Sequence, residues 1–142
     1  MAGIYIHIPF CKTRCIYCDF YSTTRSELKS RYIRALCREL TERKEYLKGE
    51  AVETIYFGGG TPSQLSEEDF KEIFKTIEQV YGMKEAKEIT LEANPDDLTE
   101  EYTGMLSTML FSRANPLVFP PSERLRPVML WPRGNRPTLN SL

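Results

Sequence analysis

The sequence predicts an α/β fold with parallel strands, and three observations predict it. Strand-like and helix-like patterns alternate three times, each strand-to-strand connection is long enough for a crossover helix, and the three stretches that carry chemistry each follow a strand. The 142 residues, 41% hydrophobic and 27% charged, have the composition of an ordinary globular domain. A net charge of −1 gives no reason to expect nucleic acid or an anionic membrane as partner. No apolar run approaches the ~20 residues of a spanning helix, and the amino terminus lacks the basic region of a secretory signal. The expected location is therefore cytoplasmic, where clustered thiols point to metal or redox chemistry rather than structural disulfides.

Taken in order, "GIYIHI" at 3–8 places Ile4, Ile6 and Ile8 on one face of a strand and Tyr5 and His7 on the other. A long helix is expected from Thr24 to about Lys48, with Thr24 and Glu27 as a capping box and Leu28, Tyr32, Leu36 and Leu40 as its apolar stripe. Cys37 falls on this helix as a small buried residue. "VETIYF" at 52–57 is the second strand. Ser66 and Asp69 open a second helix, whose stripe of Phe70, Ile73, Phe74, Ile77, Val80 and Tyr81 stops at Gly82. "EITLEA" at 88–93 is the third strand, and Thr99 caps a third helix that begins with two glutamates.

The chain changes character near Met109. Residues 1–108 carry 14 Lys and Arg against 19 Asp and Glu, whereas 109–142 carry five Arg, no Lys and one acid, Glu123, together with six of the nine prolines. No helical or strand period runs through this tail. The expectation is a non-family, disordered segment from 109 to 142, produced by a shifted reading frame, with a genuine Pro-rich tail as the alternative.

In parallel α/β folds, sites gather at the carboxyl ends of the strands. The loops there are the cysteine stretch "CKTRCIYC" at 11–18, "GGGTPS" from Gly58 and "NPDD" from Asn94. Cys11, Cys15 and Cys18 are close enough in sequence to surround one inorganic centre. From the residues alone they are three unrelated thiols, a zinc site completed by His7, or three ligands of an iron-sulfur cluster with one iron left open. Gly58, Gly59 and Gly60 are either a flexible turn or a close backbone approach to a ligand. Glu92 is an ordinary polar strand residue, or a carboxylate turned to the centre that needs a cationic partner.

"YIHIPFCKTRCIYCDF", "YFGGGTPS" and "LEANPDD" closely resemble the radical S-adenosylmethionine (SAM) superfamily, in the branch that holds oxygen-independent coproporphyrinogen III oxidase and the HemW-type heme chaperone. The resemblance runs from about Ile4 to Ser107. It implies a partial TIM-like barrel of about three strand-helix units, too few to close. Cys11, Cys15 and Cys18 would hold a [4Fe-4S] cluster, and Tyr5, Tyr17, Gly59, Gly60, Thr61 and Glu92 would contact SAM, with His7 facing the site. The chemistry implied is electron transfer from the reduced cluster into the sulfonium, giving a 5'-deoxyadenosyl radical. An electron donor protein, and heme or a porphyrinogen, are the partners implied. Phe20 stands where the oxidase carries a further cysteine, so the resemblance favours the heme chaperone; the oxidase of porphyrin biosynthesis and a zinc-binding fragment are the alternatives. A chain holding only the cluster-binding part is expected to be unstable or aggregation-prone alone, and inactive.

Overall fold

The structure, a computed structural model, describes residues 2–13 and 21–111, with side chains to Met109. Cys15, Tyr17 and Cys18, and the tail from 112 to 142, lie outside the described residues.

Three strands form a parallel sheet in the order β1-β2-β3, where β1 is Ala2–Ile8, β2 is Val52–Gly59 and β3 is Glu88–Leu91. Helices α1 (Lys29–Glu42), α2 (Glu67–Val80) and α3 (Glu100–Phe111) follow them in alternation, giving the expected partial barrel of three strand-helix units. β3 stops two residues earlier than the sequence pattern predicts, and α3 continues past the compositional break at Met109. The sheet covers its apolar face with the helices: Ile6, Ile8, Ile55 and Phe57 are buried against Ile33 of α1 and Phe70, Ile73 and Ile77 of α2. Phe57 is the hub, with edge-on contacts to Phe70 and Phe74 at centroid distances of 5.6 Å each.

The first helix differs from expectation at its start. Glu27 does not turn back to cap Thr24 but accepts from Arg25 Nε at 2.8 Å, because a charge-assisted bond to a neighbouring guanidinium outcompetes one to an amide. A short 3-10 turn at Ser26–Leu28 then leads into α1, and another at Lys44–Leu47 ends with Lys48 in the left-handed region at φ 50°. The buried face also shifts. A row taken every fourth residue slants around a helix of 3.6 residues per turn, so Ile33 and Leu40 form the buried centre while Leu28, Tyr32, Leu36 and Cys37 are half-buried beside it.

The second helix starts as expected. Ser66 Oγ accepts from the Asp69 amide at 3.3 Å and Asp69 Oδ2 accepts from the Ser66 amide at 2.9 Å, a reciprocal capping box. Thr99 likewise caps α3, its hydroxyl accepting from the Tyr102 amide at 3.1 Å. Tyr102, Met105, Leu106 and Met109, spaced as one helical face, pack against the core.

Tyrosine hydroxyls tie the helices to neighbouring main chain: Tyr32 donates to the His7 carbonyl, Tyr81 to the Leu40 carbonyl at 2.7 Å, and Tyr102 to the Leu65 carbonyl at 3.0 Å. Phe57→Ala should cost about 3–5 kcal/mol and Ser66→Ala about 1 kcal/mol, read as shifts of the urea unfolding midpoint followed by far-UV circular dichroism.

Candidate functional site

Period-two alternation puts the polar residues on the sheet face that the helices leave uncovered. Cα pairing aligns Tyr5 with Tyr56 and Tyr56 with Thr90, and one step further pairs His7 with Gly58. Glu92, just past β3, shares the parity of Thr90 and donates its amide to the Phe57 carbonyl at 3.0 Å. The second row along this face is therefore His7, Gly58, Glu92, with a glycine in the middle. A Cβ on Gly58 would lie 2.8 Å from the Tyr56 ring, 3.1 Å from the Tyr5 ring and 3.2 Å from Glu92 Oε2, so the missing side chain makes room for all three.

Glu92 is held from two sides. The Tyr56 hydroxyl donates to Oε1 at 2.6 Å and the Gly59 amide donates to Oε2 at 3.2 Å. A carboxylate has about four acceptor positions, so capacity remains for a cationic donor. Burial, then the bond to Glu92 and its charge, push the Tyr56 hydroxyl well above the usual phenol range. Tyr56 is thus a fixed neutral donor. Tyr5 stacks on Tyr56 at 6.0 Å and is 58% exposed, presenting an aromatic surface on the open face. Burial, and more weakly the Glu92 charge, raise its hydroxyl too.

His7 has both ring nitrogens engaged. Nε2 lies 3.0 Å from the Tyr21 carbonyl and Nδ1 3.3 Å from the Tyr5 hydroxyl. A carbonyl only accepts, so Nε2 carries the proton and Nδ1 accepts from Tyr5. A zinc ion could use Nδ1 only by displacing Tyr5, an arrangement the zinc alternative would have to overcome. Among the described residues no group of three or more His, Cys, Asp or Glu side chains is placed to hold a metal, and Cys15 and Cys18 lie outside them.

Cys11 sits against the second rim loop. Gly60 and Thr61 donate their amides to the carbonyls of Ile8 and Phe10, both at 2.8 Å, while the Cys11 amide donates to the Thr23 carbonyl at 3.0 Å and the Thr23 amide to the Pro9 carbonyl at 2.7 Å. Gly59, at φ +105°, makes the turn; a Cβ there would lie 2.5 Å from the His7 ring. A Cβ on Gly60 would meet the Ile8 carbonyl oxygen at 2.8 Å and Cys11 Sγ at 3.0 Å. The Thr61 hydroxyl lies 3.3 Å from Cys11 Sγ. Its amide is spent on Phe10, and its carbonyl accepts from the Gln64 amide at 2.9 Å.

Of the residues proposed from sequence, Tyr5, Gly59, Gly60, Thr61, Glu92 and Cys11 are thus gathered on one rim, whereas Tyr17, Cys15 and Cys18 lie outside the described residues. Sequence reasoning singled out Gly58 as a close backbone approach but missed Tyr56, although its parity in β2 already placed it on the face of Glu92. It also missed Asp97. This carboxylate, its side chain 6% exposed, accepts from Lys12 Nζ, from Ser63 Oγ at 2.7 Å and from Gln64 Nε2 at 2.7 Å. Ser63 Oγ in turn accepts from the Asn94 amide at 3.0 Å. Asp97 therefore joins all three rim loops. Burial works against its charge, but the bonds from Lys12, Ser63 and Gln64 outweigh burial and hold the carboxyl below its ordinary value.

The geometry suits the group that the sequence resemblance implies: a thiol against a glycine turn, a carboxylate with acceptor capacity to spare and an exposed aromatic face share one rim. A model of the radical SAM superfamily matches residues 5–129. The heme chaperone HemW of Bacillus subtilis (strain 168) is 40% identical over 108 residues, covering 75% of this chain and 28% of its own length. That of Mycobacterium tuberculosis (strain ATCC 25618 / H37Rv) is 33% identical over 117 residues, 80% of this chain and 30% of its own. That of Synechocystis sp. (strain ATCC 27184 / PCC 6803 / Kazusa) is 38% identical over 98 residues, 64% and 23%. Among solved structures, coproporphyrinogen III oxidase (HemN) from Escherichia coli, a radical SAM enzyme, superposes with a TM-score of 0.67 at 27% identity, over 79% of this chain and 26% of its own. The chain spans 23–30% of the length of these curated relatives.

Three outcomes follow from the geometry. Asp97 gains its partners only on folding, so the stability it adds is complete above its unfolded value of about 3.8 and is lost as pH falls through its lower folded value. Denaturation midpoints of the unaltered chain and Asp97→Asn should therefore differ at neutral pH and converge in acid. Gly59→Ala should cost about 1–3 kcal/mol through strain at positive φ. Gly104→Ala, facing open space in α3, should be neutral or stabilise by up to about 1 kcal/mol in the same assay.

Proposed function

The chain belongs to the radical SAM superfamily, and from that premise we propose that it holds a four-iron, four-sulfur cluster and SAM on this rim, as part of a heme chaperone of the HemW type. The observation that carries the reading is the placement of the Cys11 thiol, the Gly59–Thr61 turn and the Glu92 carboxylate side by side at the carboxyl ends of parallel strands.

Cys11, with Cys15 and Cys18, would hold the cluster. When bound, the cluster supplies a low-potential electron and an iron corner open to a ligand. The protein's own part is binding and orientation. Glu92, oriented by Tyr56 and the Gly59 amide, offers its spare acceptor positions to the SAM ammonium; Tyr5 offers an aromatic face to an apolar portion of the ligand. The absent side chains of Gly58 and Gly60 keep backbone and sulfur accessible. Tyr17 is proposed as a further SAM contact from the family pattern, and Thr61 through the remaining lone pair of its hydroxyl.

Heme as cargo rests on the curated relatives, which are heme chaperones. Phe20, in place of the oxidase's additional cysteine, supports the same choice. The second reading is coproporphyrinogen III oxidase, favoured by the likeness to HemN. Because the chain spans under a third of its relatives, we propose that it has no turnover by itself.

Anaerobic reconstitution tests the proposal. The chain should take up about four irons, change its electron paramagnetic resonance spectrum on adding SAM, and lose the iron in Cys11→Ala. A colourless protein with tightly bound zinc would overturn it. Heme titration against assay of vinyl formation from coproporphyrinogen, in a version extended to the relatives' length, separates chaperone from oxidase.

A further inference from the structure

The hydrogen bond between Thr61 and Cys11 goes beyond holding the cluster, while resting on the assignment just made. We propose that the Thr61 hydroxyl donates to the Cys11 thiolate and so sets the reduction potential of the cluster, making Thr61 a positioning residue that acts through sulfur.

The 3.3 Å contact joins two residues whose backbones are both tied down by hydrogen bonds. On one side, Cys11 is pinned by its amide bond to the Thr23 carbonyl at 3.0 Å and follows buried Pro9 and Phe10. On the other, Thr61 is pinned by its amide bond to the Phe10 carbonyl at 2.8 Å, next to the Gly60 bond to Ile8. Backbone bonds on both flanks therefore hold the two residues side by side, within reach of the hydroxyl-to-sulfur bond. The direction follows from valence: a metal-bound thiolate has lone pairs and no proton, so the hydroxyl must be the donor.

Such a bond draws negative charge from sulfur. The reduced cluster carries one more electron than the oxidised one and gains more from the bond, so the potential rises. Partial burial keeps water from substituting for the hydroxyl and lowers the local dielectric, which strengthens the effect. The amide and carbonyl of Thr61 are paired with Phe10 and Gln64, so it is the hydroxyl proton that faces sulfur, while its remaining lone pair stays available to SAM.

The test is a redox titration of the anaerobically reconstituted chain, followed by electron paramagnetic resonance, in Thr61→Val and Thr61→Ser. Valine should keep the iron content and shift the midpoint to more negative potential; serine, which restores the hydroxyl, should stay near the unaltered value. Thr61→Ala carries the same expectation as valine without a second methyl beside the sulfur. Equal midpoints in all four proteins would overturn the proposal, as would equal shifts in Ser and Val, which would point to packing. Loss of iron from both Val and Ala would assign Thr61 a structural role and also overturn it. If the unaltered chain takes up no iron, it is the functional assignment itself that fails.

Discussion

The site depends on the register between β1 and β2. Pairing Ile8 with Gly59 brings the two loops out of the sheet at the same height. Because Gly59 adopts a positive φ, the successive amides of Gly60 and Thr61 reach carbonyls two residues apart, those of Ile8 and Phe10. The ladder thus continues beyond the last strand pair and carries Cys11 against the glycine turn. A slip of one residue would turn Ile6 and Ile8 to solvent and send His7 and Tyr5 into the helices. Burial of the isoleucines therefore fixes the register, and the register delivers the thiol.

On the same sheet face, the tyrosines and Glu92 form an arrangement with fixed hydrogen-bond roles. Tyr56 donates and does not ionise in the neutral range, so Glu92 remains an oriented acceptor whose ligands must bring their own protons. His7 completes the row, its tautomer decided by the Tyr21 carbonyl. The Tyr32 hydroxyl, reaching the His7 carbonyl from α1, ties the helix layer to this polar face through the backbone of one residue. The division of the sheet into an apolar side and a chemical side thus follows from alternation along each strand, and single atoms of contact connect the two.

Much of this was legible in the sequence. Alternation in "GIYIHI" and the Ser66–Asp69 box both have short-range causes, and both appear as predicted. The three rim loops were legible because parallel strands with crossovers leave nowhere else for them. What escaped has a longer-range cause. Arg25 captures Glu27 and dissolves a capping box that spacing alone supports. Asp97 lies in the "NPDD" rim loop, but its role appears only when folding brings Lys12 to it across 85 positions of chain. Tyr56 lay in plain view, but its meaning requires knowing that Glu92 crosses beside it.

Phe10 and Thr23 form a parallel bridge that closes the cysteine loop at its base. Between these anchors the chain is a ring of about a dozen residues, small enough that most of the entropy of bringing its ends together is already spent in the folded sheet.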